Sequence, residues 1–192
     1  MSNSGIRATL SALWSPILAI TTADGERVNG QIALAGLNAS ILPEAPRVLI
    51  ELWKANLTHD MVLSSGVFAL HVLPTEPEEA LLTSLSLVRR LGMRSGRDGN
   101  KMHGIPARSG VTGSPILLEA LSYVEARVAA TLDGDEMTIF LADAVAGERL
   151  RQGDALTLRM TRERMPAEWM EEWERNQKYQ LDEARRRRGE SF

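Results

Sequence analysis

The pattern of apolar and polar positions divides the chain into a β-rich body and a charged tail. Pro16 to Thr22 (PILAITT) is a short, apolar, β-branched run, and Ala23-Asp24-Gly25-Glu26 behind it reads as a turn. Val28 to Ala35 resumes an extended pattern, so the Asp-Gly pair between the two runs predicts a hairpin. Pro46 to Trp53 and Val67 to Leu73 are two further strands; the first starts at a proline, a position a strand tolerates. Leu121 to Leu132, a second turn at Asp133-Gly134-Asp135, Met137 to Val145 and Ala155 to Met160 continue the pattern. Short strands separated by turn signals predict a mainly β fold, an antiparallel barrel or sandwich with flanking helices, and not a βαβ fold.

Helical spacing appears in three places. His59 to Ser65 follows Thr58, a suitable N-cap, and stops at Gly66. Glu76 to Leu91 carries Leu81, Leu82, Leu85 and Val88 at helical spacing, with Thr75 and Glu78 set as a capping box and Pro77 in the first turn. From Pro166 onward the chain is strongly charged, with Trp169, Trp173, Gln180 and Ala184 near one face and Met170 and Leu181 beside it. This predicts an amphipathic helix that packs on the barrel or on a partner subunit. The expected organisation is a domain over residues 1–165 and a C-terminal helix over 166–192. Residues 92–115 are rich in glycine and lack periodicity, the mark of a functional or disordered loop.

Composition narrows the function classes. The chain has 192 residues, 44% of them hydrophobic and 24% charged, enough for a real core. Lys plus Arg number 22 against 25 Asp plus Glu, a net charge of −3, which argues against a nucleic-acid partner. The Arg185–Arg188 run reads as a solvated helix end. With no cysteine, disulfides, thiolate metal sites and cysteine nucleophiles are excluded. No apolar run approaches the ~18 residues of a membrane span, and the first residues lack a signal-type apolar segment, so a cytoplasmic protein without a membrane partner is expected.

Few motifs carry chemistry on their own. There is no phosphate-binding glycine loop. His59, His71 and His103 show no metal-ligand spacing, so neither a metal site nor a catalytic residue is assigned. Lys54-Ala55-Asn56-Leu57-Thr58-His59 ends a strand and opens a helix. A helix start offers free N–H groups and partial positive charge to a phosphate. Lys54 adds a full charge, while Asn56 and Thr58 add neutral donors. Ordinary capping by Thr58 beside a solvated lysine is the alternative.

Several segments in fixed order resemble the flavin reductase-like, FMN-binding split-barrel family, and within it the flavoredoxin-like branch. They are Asn29-Gly30-Gln31, Pro46, the Lys54–His59 segment, Ser65-Gly66-Val67-Phe68 through Val72-Leu73, and Arg94-Ser95-Gly96-Arg97-Asp98 with Lys101. Ser114-Pro115-Ile116-Leu117, Tyr123-Val124-Glu125, and Gly134-Asp135 with Thr138 to Val145 extend the similarity over roughly residues 14 to 160. The resemblance implies an antiparallel split barrel that binds FMN and takes hydride from NADH or NADPH. By resemblance, Lys54, Asn56 and Thr58 hold the phosphate and ribityl end. Asn29, Gly30 and Gln31, with the strand through Ala35 and the loop of Asn38, Ala39 and Ser40, border the ring. Ser95, Arg97 and Lys101 close over the phosphate.

The resemblance also implies a homodimer with the flavin near the interface. A small barrel has little room for Trp14, Trp53, Trp169, Trp173, Met160, Met165 and Met170, which points the same way. Three departures bear on function. Ile32 and Leu34 stand where the family's strand carries polar groups toward the flavin, Ala45 replaces the first of two prolines, and Glu136-Met137 replace a histidine after Gly134-Asp135. Two alternatives therefore accompany the oxidoreductase: an FMN-carrying electron-transfer protein without nicotinamide turnover, and a split barrel that has lost flavin and serves as a binding module.

Overall fold

The computed structural model describes residues 16–189, together with residues 6, 9 and 10. Strands β1 (Leu18–Asp24) and β2 (Arg27–Ala33) form the expected hairpin, with Asp24 opposite Arg27 and Gly25 at φ +61°, a conformation that favours glycine. β3 (Gly36–Asn38) and β4 (Arg47–Trp53) follow, then helix α1 (Leu57–Ser65), β5 (Val67–Val72) and helix α2 (Glu78–Gly92). The short β6 (Ala107–Ser109) and β7 (Pro115–Leu117) pair with each other. The long hairpin β8 (Ser122–Asp133) and β9 (Met137–Arg149) precedes α3 (Leu158–Arg164) and α4 (Ala167–Arg187).

The main sheet is antiparallel and seven-stranded, in the order β2-β1-β5-β8-β9-β4-β3. Its outermost strands, β2 and β3, are separated in sequence only by Leu34 and Ala35. Two extended residues reach less than about 11 Å, so the sheet must curl until its edges nearly meet. Register shifts at Glu125/Ala126 and Val128/Ala130 let the long hairpin follow that curl. The result is a split barrel, as expected. Glu51 N donates to Ala35 O at 3.5 Å, one step beyond the β3–β4 register.

Period-two alternation sorts the strands between two cores. Leu18 and Ile20 face the barrel interior with Ile50, Leu52, Phe68, Leu70 and Phe140. Ile17 and Ala19 face outward against Leu81, Leu85, Val88 and Leu91 of α2. Both faces of β1 are thus covered, which explains the unbroken apolar run Ile17–Ile20. Trp169, Met170 and Trp173 pack against this second core, so the surface covered by the α4 tryptophans is the chain's own. Trp14 lies outside the described residues.

Several local expectations are corrected. α1 begins at Leu57 with Asn56 at its N-cap, and Thr58 lies inside the helix. No capping box forms at α2: Thr75 Oγ1 donates to Asp154 O, and Pro77 occupies the N-cap. Leu82 lies off the buried stripe, 56% exposed. Ala155 and Thr157 form only isolated bridges, and Leu158–Arg164 is helical rather than extended, because Thr157 Oγ1 accepts from Met160 N and caps it. Part of the glycine-rich stretch is pinned to α2, where Arg90 donates through Nε to Lys101 O and through Nη2 to His103 O. Among the described residues no helix is long and apolar enough to cross a membrane.

Candidate functional site

The seam of the barrel holds a cavity of about 250 Å³. β2 is a sheet edge with no second strand partner among the described residues, and Gln31 through Ala35 form one wall. Glu51 and Trp53 of β4 form another, with the Trp53 indole donating to Glu51 Oε1 at 3.1 Å. Asn56, at the start of α1, closes one end, and Gly92 closes α2's side. An unpaired strand edge and an indole suit a flat heterocycle with alternating donors and acceptors.

Gln31 is 4% exposed, and its Oε1 is buried without a partner among the described residues. A buried acceptor left bare costs about 1–3 kcal/mol. Ile32 and Leu34 add apolar surface to the same wall. Ile32 is also fixed by α2: a Cβ on Gly92 would lie 3.1 Å from its Cγ1.

The start of α1 adjoins the cavity. No side chain caps it, and Asn56 is turned to the cavity. Thr58 is fully buried and accepts from Asn29 Nδ2 at 3.1 Å, so these two predicted site residues brace β2 against α1. Gly96 of the glycine-rich loop leaves room for this pair, since a Cβ there would sit 2.4 Å from Asn29 Nδ2.

Beside this end runs a chain of charged and polar contacts. Lys54 pairs with Asp133, which accepts from Thr138 Oγ1 at 2.9 Å. Thr138 meets His59 Nε2 at 2.9 Å, His59 Nδ1 meets Asp60 Oδ1 at 2.9 Å, and Arg97 donates to Asp60 Oδ2 at 2.6 Å. Hydrogen bonds from Lys54 and Thr138 hold the Asp133 carboxyl below its ordinary range. Burial pushes Asp60 up, but the bonds from His59 and Arg97 outweigh it and bring Asp60 down. Two of the three predicted phosphate-binding cations, Lys54 and Arg97, are therefore ion-paired within the chain.

The other expected site residues lie elsewhere. Ser95 and Lys101 line a second hollow with Arg90 and Arg94. Lys101 is buried and donates from Nζ to Leu91 O at 2.8 Å, closing the C-terminus of α2; burial pulls its pKa down to about 8. Ser95 Oγ accepts from Arg97 N. Asn38 and Ser40 are bound into a local turn, where Asn38 Oδ1 accepts from Ser40 N and Ser40 Oγ from Leu42 N, while Ala39 N donates to Arg47 O. Gly30 packs under α2, where a Cβ would meet Leu91 and Met102 at 3.3 Å.

The sequence reading missed Trp173, Asn176, Gln177 and Gln180 of α4, which complete the cavity wall. Their i, i+3, i+4, i+7 spacing marks one face, but nothing local says what it covers. It also left Asp133, Thr138 and His59 out of the site, although His59 and Thr138 fall in segments that carry the family resemblance. Among the described residues no cluster of metal-ligating side chains occurs.

A curled antiparallel barrel whose seam holds a cavity next to the start of a helix defines the split-barrel class of protein. Comparison with known proteins gives the family. The model for the flavin reductase like domain matches residues 10–167. The high molecular weight rubredoxin of Moorella thermoacetica is 32% identical over 139 residues, 72% of this chain. The chain spans only 57% of that protein's length. The ferric-chelate reductase (NAD(P)H) of Archaeoglobus fulgidus is 30% identical over 139 residues, covering 72% of this chain and 78% of that one. Among solved structures, the FMN-binding protein of Thermus thermophilus superposes with a TM-score of 0.63 at 23% identity, covering 72% of this chain and 73% of that one, a likeness of fold. The chain belongs to the flavin reductase-like family.

Proposed function

We propose that the chain binds FMN in the seam cavity and reduces it with NADH or NADPH, working as a homodimer. The observation that carries this reading is the union of two features. A cavity walled by the β2 edge, Trp53 and Trp173 lies in the seam, and the start of α1, which no side chain caps, adjoins it. The first fits a flat ring and the second fits a single phosphate. Similarity to a protein named for NAD(P)H-dependent reduction supports the electron donor, and the fold of an FMN-binding protein supports the cofactor.

When bound, FMN supplies the ring that accepts the hydride. The chain's own residues position and shield it. The α1 N–H groups and Asn56 receive the phosphate, with Lys54 supplying charge once it shares Asp133. Gln31 and the β2 edge orient the ring, while Trp53 and Trp173 exclude water from its faces. No side chain need act as an acid or nucleophile. The dimer is supported by an exposed apolar group at the β3 edge: Leu37 is 64%, Ile41 97% and Leu42 51% exposed.

An absorbance spectrum of the purified protein tests the cofactor, and anaerobic addition of NADH or NADPH tests turnover. Flavin bands that bleach within seconds are expected. A colourless protein that takes up no added FMN would refute the reading. A second reading, an FMN carrier without nicotinamide turnover, is favoured by α4 lying along the cavity where a nicotinamide would stack. Flavin bands that bleach with dithionite but not with either nucleotide would select it.

A further inference from the structure

We propose that α4 is the roof of the ring end of this cavity and selects its occupant. Trp173 packs on, and Gln177 and Gln180 hydrogen-bond to, a flat heterocycle of the isoalloxazine class carrying both N–H donors and carbonyl acceptors. This inference rests on the flavin reading above and adds a segment that the family match, ending at residue 167, scarcely includes.

The helix lies across the cavity because it is tied at both ends. Near α2, Glu172 accepts from Arg89 at 2.7 Å, the Arg89 guanidinium lies 4.7 Å over the Trp169 ring, and Asn176 Nδ2 donates to Gly92 O at 2.9 Å. At the far end, Arg188 donates through Nε to Glu136 Oε2 at 2.9 Å, and through Nη2 to Oε1. That contact holds the Glu136 carboxyl below its ordinary range. Glu136 stands in the β8–β9 turn, and its carbonyl accepts from Lys54 N at 2.9 Å. A helix of 21 residues covers about 30 Å, so α4 reaches from the end of α2 to the Lys54 end of the site.

One face of the helix meets the cavity: Trp173, Asn176, Gln177 and Gln180. Asn176 is committed to Gly92. The Gln177 and Gln180 amides have no partner among the described residues, so they remain for a ligand. Opposite them lie the β2 edge with Ile32 and Leu34, and the Glu51 carboxyl beside Trp53. Such walls disfavour an anion at this end and match a neutral ring whose rim alternates N–H and C=O.

The test uses the full-length chain, titrated with FMN and with riboflavin. Trp173→Leu removes the indole, Trp173→Tyr restores a flat ring, and Gln177→Ala changes an exposed side chain whose loss leaves the fold intact. Trp173→Leu is expected to weaken both flavins about fivefold and to raise the fluorescence of the bound flavin, with Trp173→Tyr recovering most of the loss. Gln177→Ala is expected to weaken both flavins about threefold and shift the bound absorption bands. If Trp173→Leu and Gln177→Ala both bind FMN within twofold of the parent and with its spectrum, α4 does not select the occupant, although the flavin reading stands. If the parent itself takes up neither flavin, the flavin reading falls and this inference with it.

Discussion

The Lys54 ammonium sits against both oxygens of the Asp133 carboxylate, 2.8 Å from Oδ1 and 2.9 Å from Oδ2, beside the open start of α1. A phosphate arriving there meets a cation already shared with a carboxylate. Lys54→Ala is therefore expected to weaken FMN about tenfold or more, since a bond to a charged group contributes about 1.5–3 kcal/mol, and to leave riboflavin nearly unchanged. Asp133→Asn is expected to act oppositely, tightening FMN at low ionic strength, with the gain fading as salt rises. Fluorescence titrations of both flavins read these effects. Equal losses for the two flavins on Lys54→Ala would place the phosphate elsewhere.

Asn29 and Thr58 are both buried, and each is the other's side-chain partner. Thr58→Val is expected to cost about 1–3 kcal/mol, because it strands the Asn29 amide in the interior. Thr58→Ser retains the hydroxyl and should cost less. Gly96→Ala should resemble Thr58→Val, since its Cβ would displace Asn29. Urea unfolding midpoints for the three variants give the order, and a neutral Thr58→Val would show that the pair contributes nothing.

His71 couples stability to acid. It is fully buried between Ala19 O, which lies 3.1 Å from Nδ1, and Leu117 N, which donates to Nε2 at 3.1 Å. Both bonds are satisfied by the neutral ring with its proton on Nδ1. Burial pulls its pKa down to about 4, against an ordinary 6.5. The unfolded chain thus binds the extra proton first. This contribution to stability is complete above about pH 6.5 and is lost as pH falls toward 4, amounting to about 3 kcal/mol. His71→Leu should flatten that segment of the stability–pH curve while lowering stability at pH 7, because it strands the Leu117 N–H. An unchanged slope between pH 6.5 and 4 in the variant would exclude His71 as its source.

Light scattering of the flavin-loaded protein at micromolar concentration is expected to give twice the chain mass. Ile41→Lys, at the most exposed point of the β3–β4 apolar group, is expected to shift the population toward single chains without changing the fold. A parent protein that elutes and scatters as one chain would end the dimer proposal.

What the sequence determined by itself is local and periodic. The Asp24-Gly25 hairpin, the strand alternation and the Leu81–Leu85–Val88 stripe follow from interactions within a few residues, so their residue types alone specify them. Asn56 and Thr58 show the limit of that logic. Either is a good N-cap by type, and the choice fell to Asn56 because Thr58 is held in the interior by Asn29, far away in sequence. The cavity belongs to the same class of fact. Its seam exists because β2 and β3, only two residues apart, end up at opposite edges of one sheet and force it to curl. Its roof comes from α4, whose one-sided face could as well have served a partner until Gly92 and Glu136 gave it anchors within the chain. Periodicity marks which face of an element must be covered; the element that covers it is chosen by packing between distant segments, and only the folded chain brings those together.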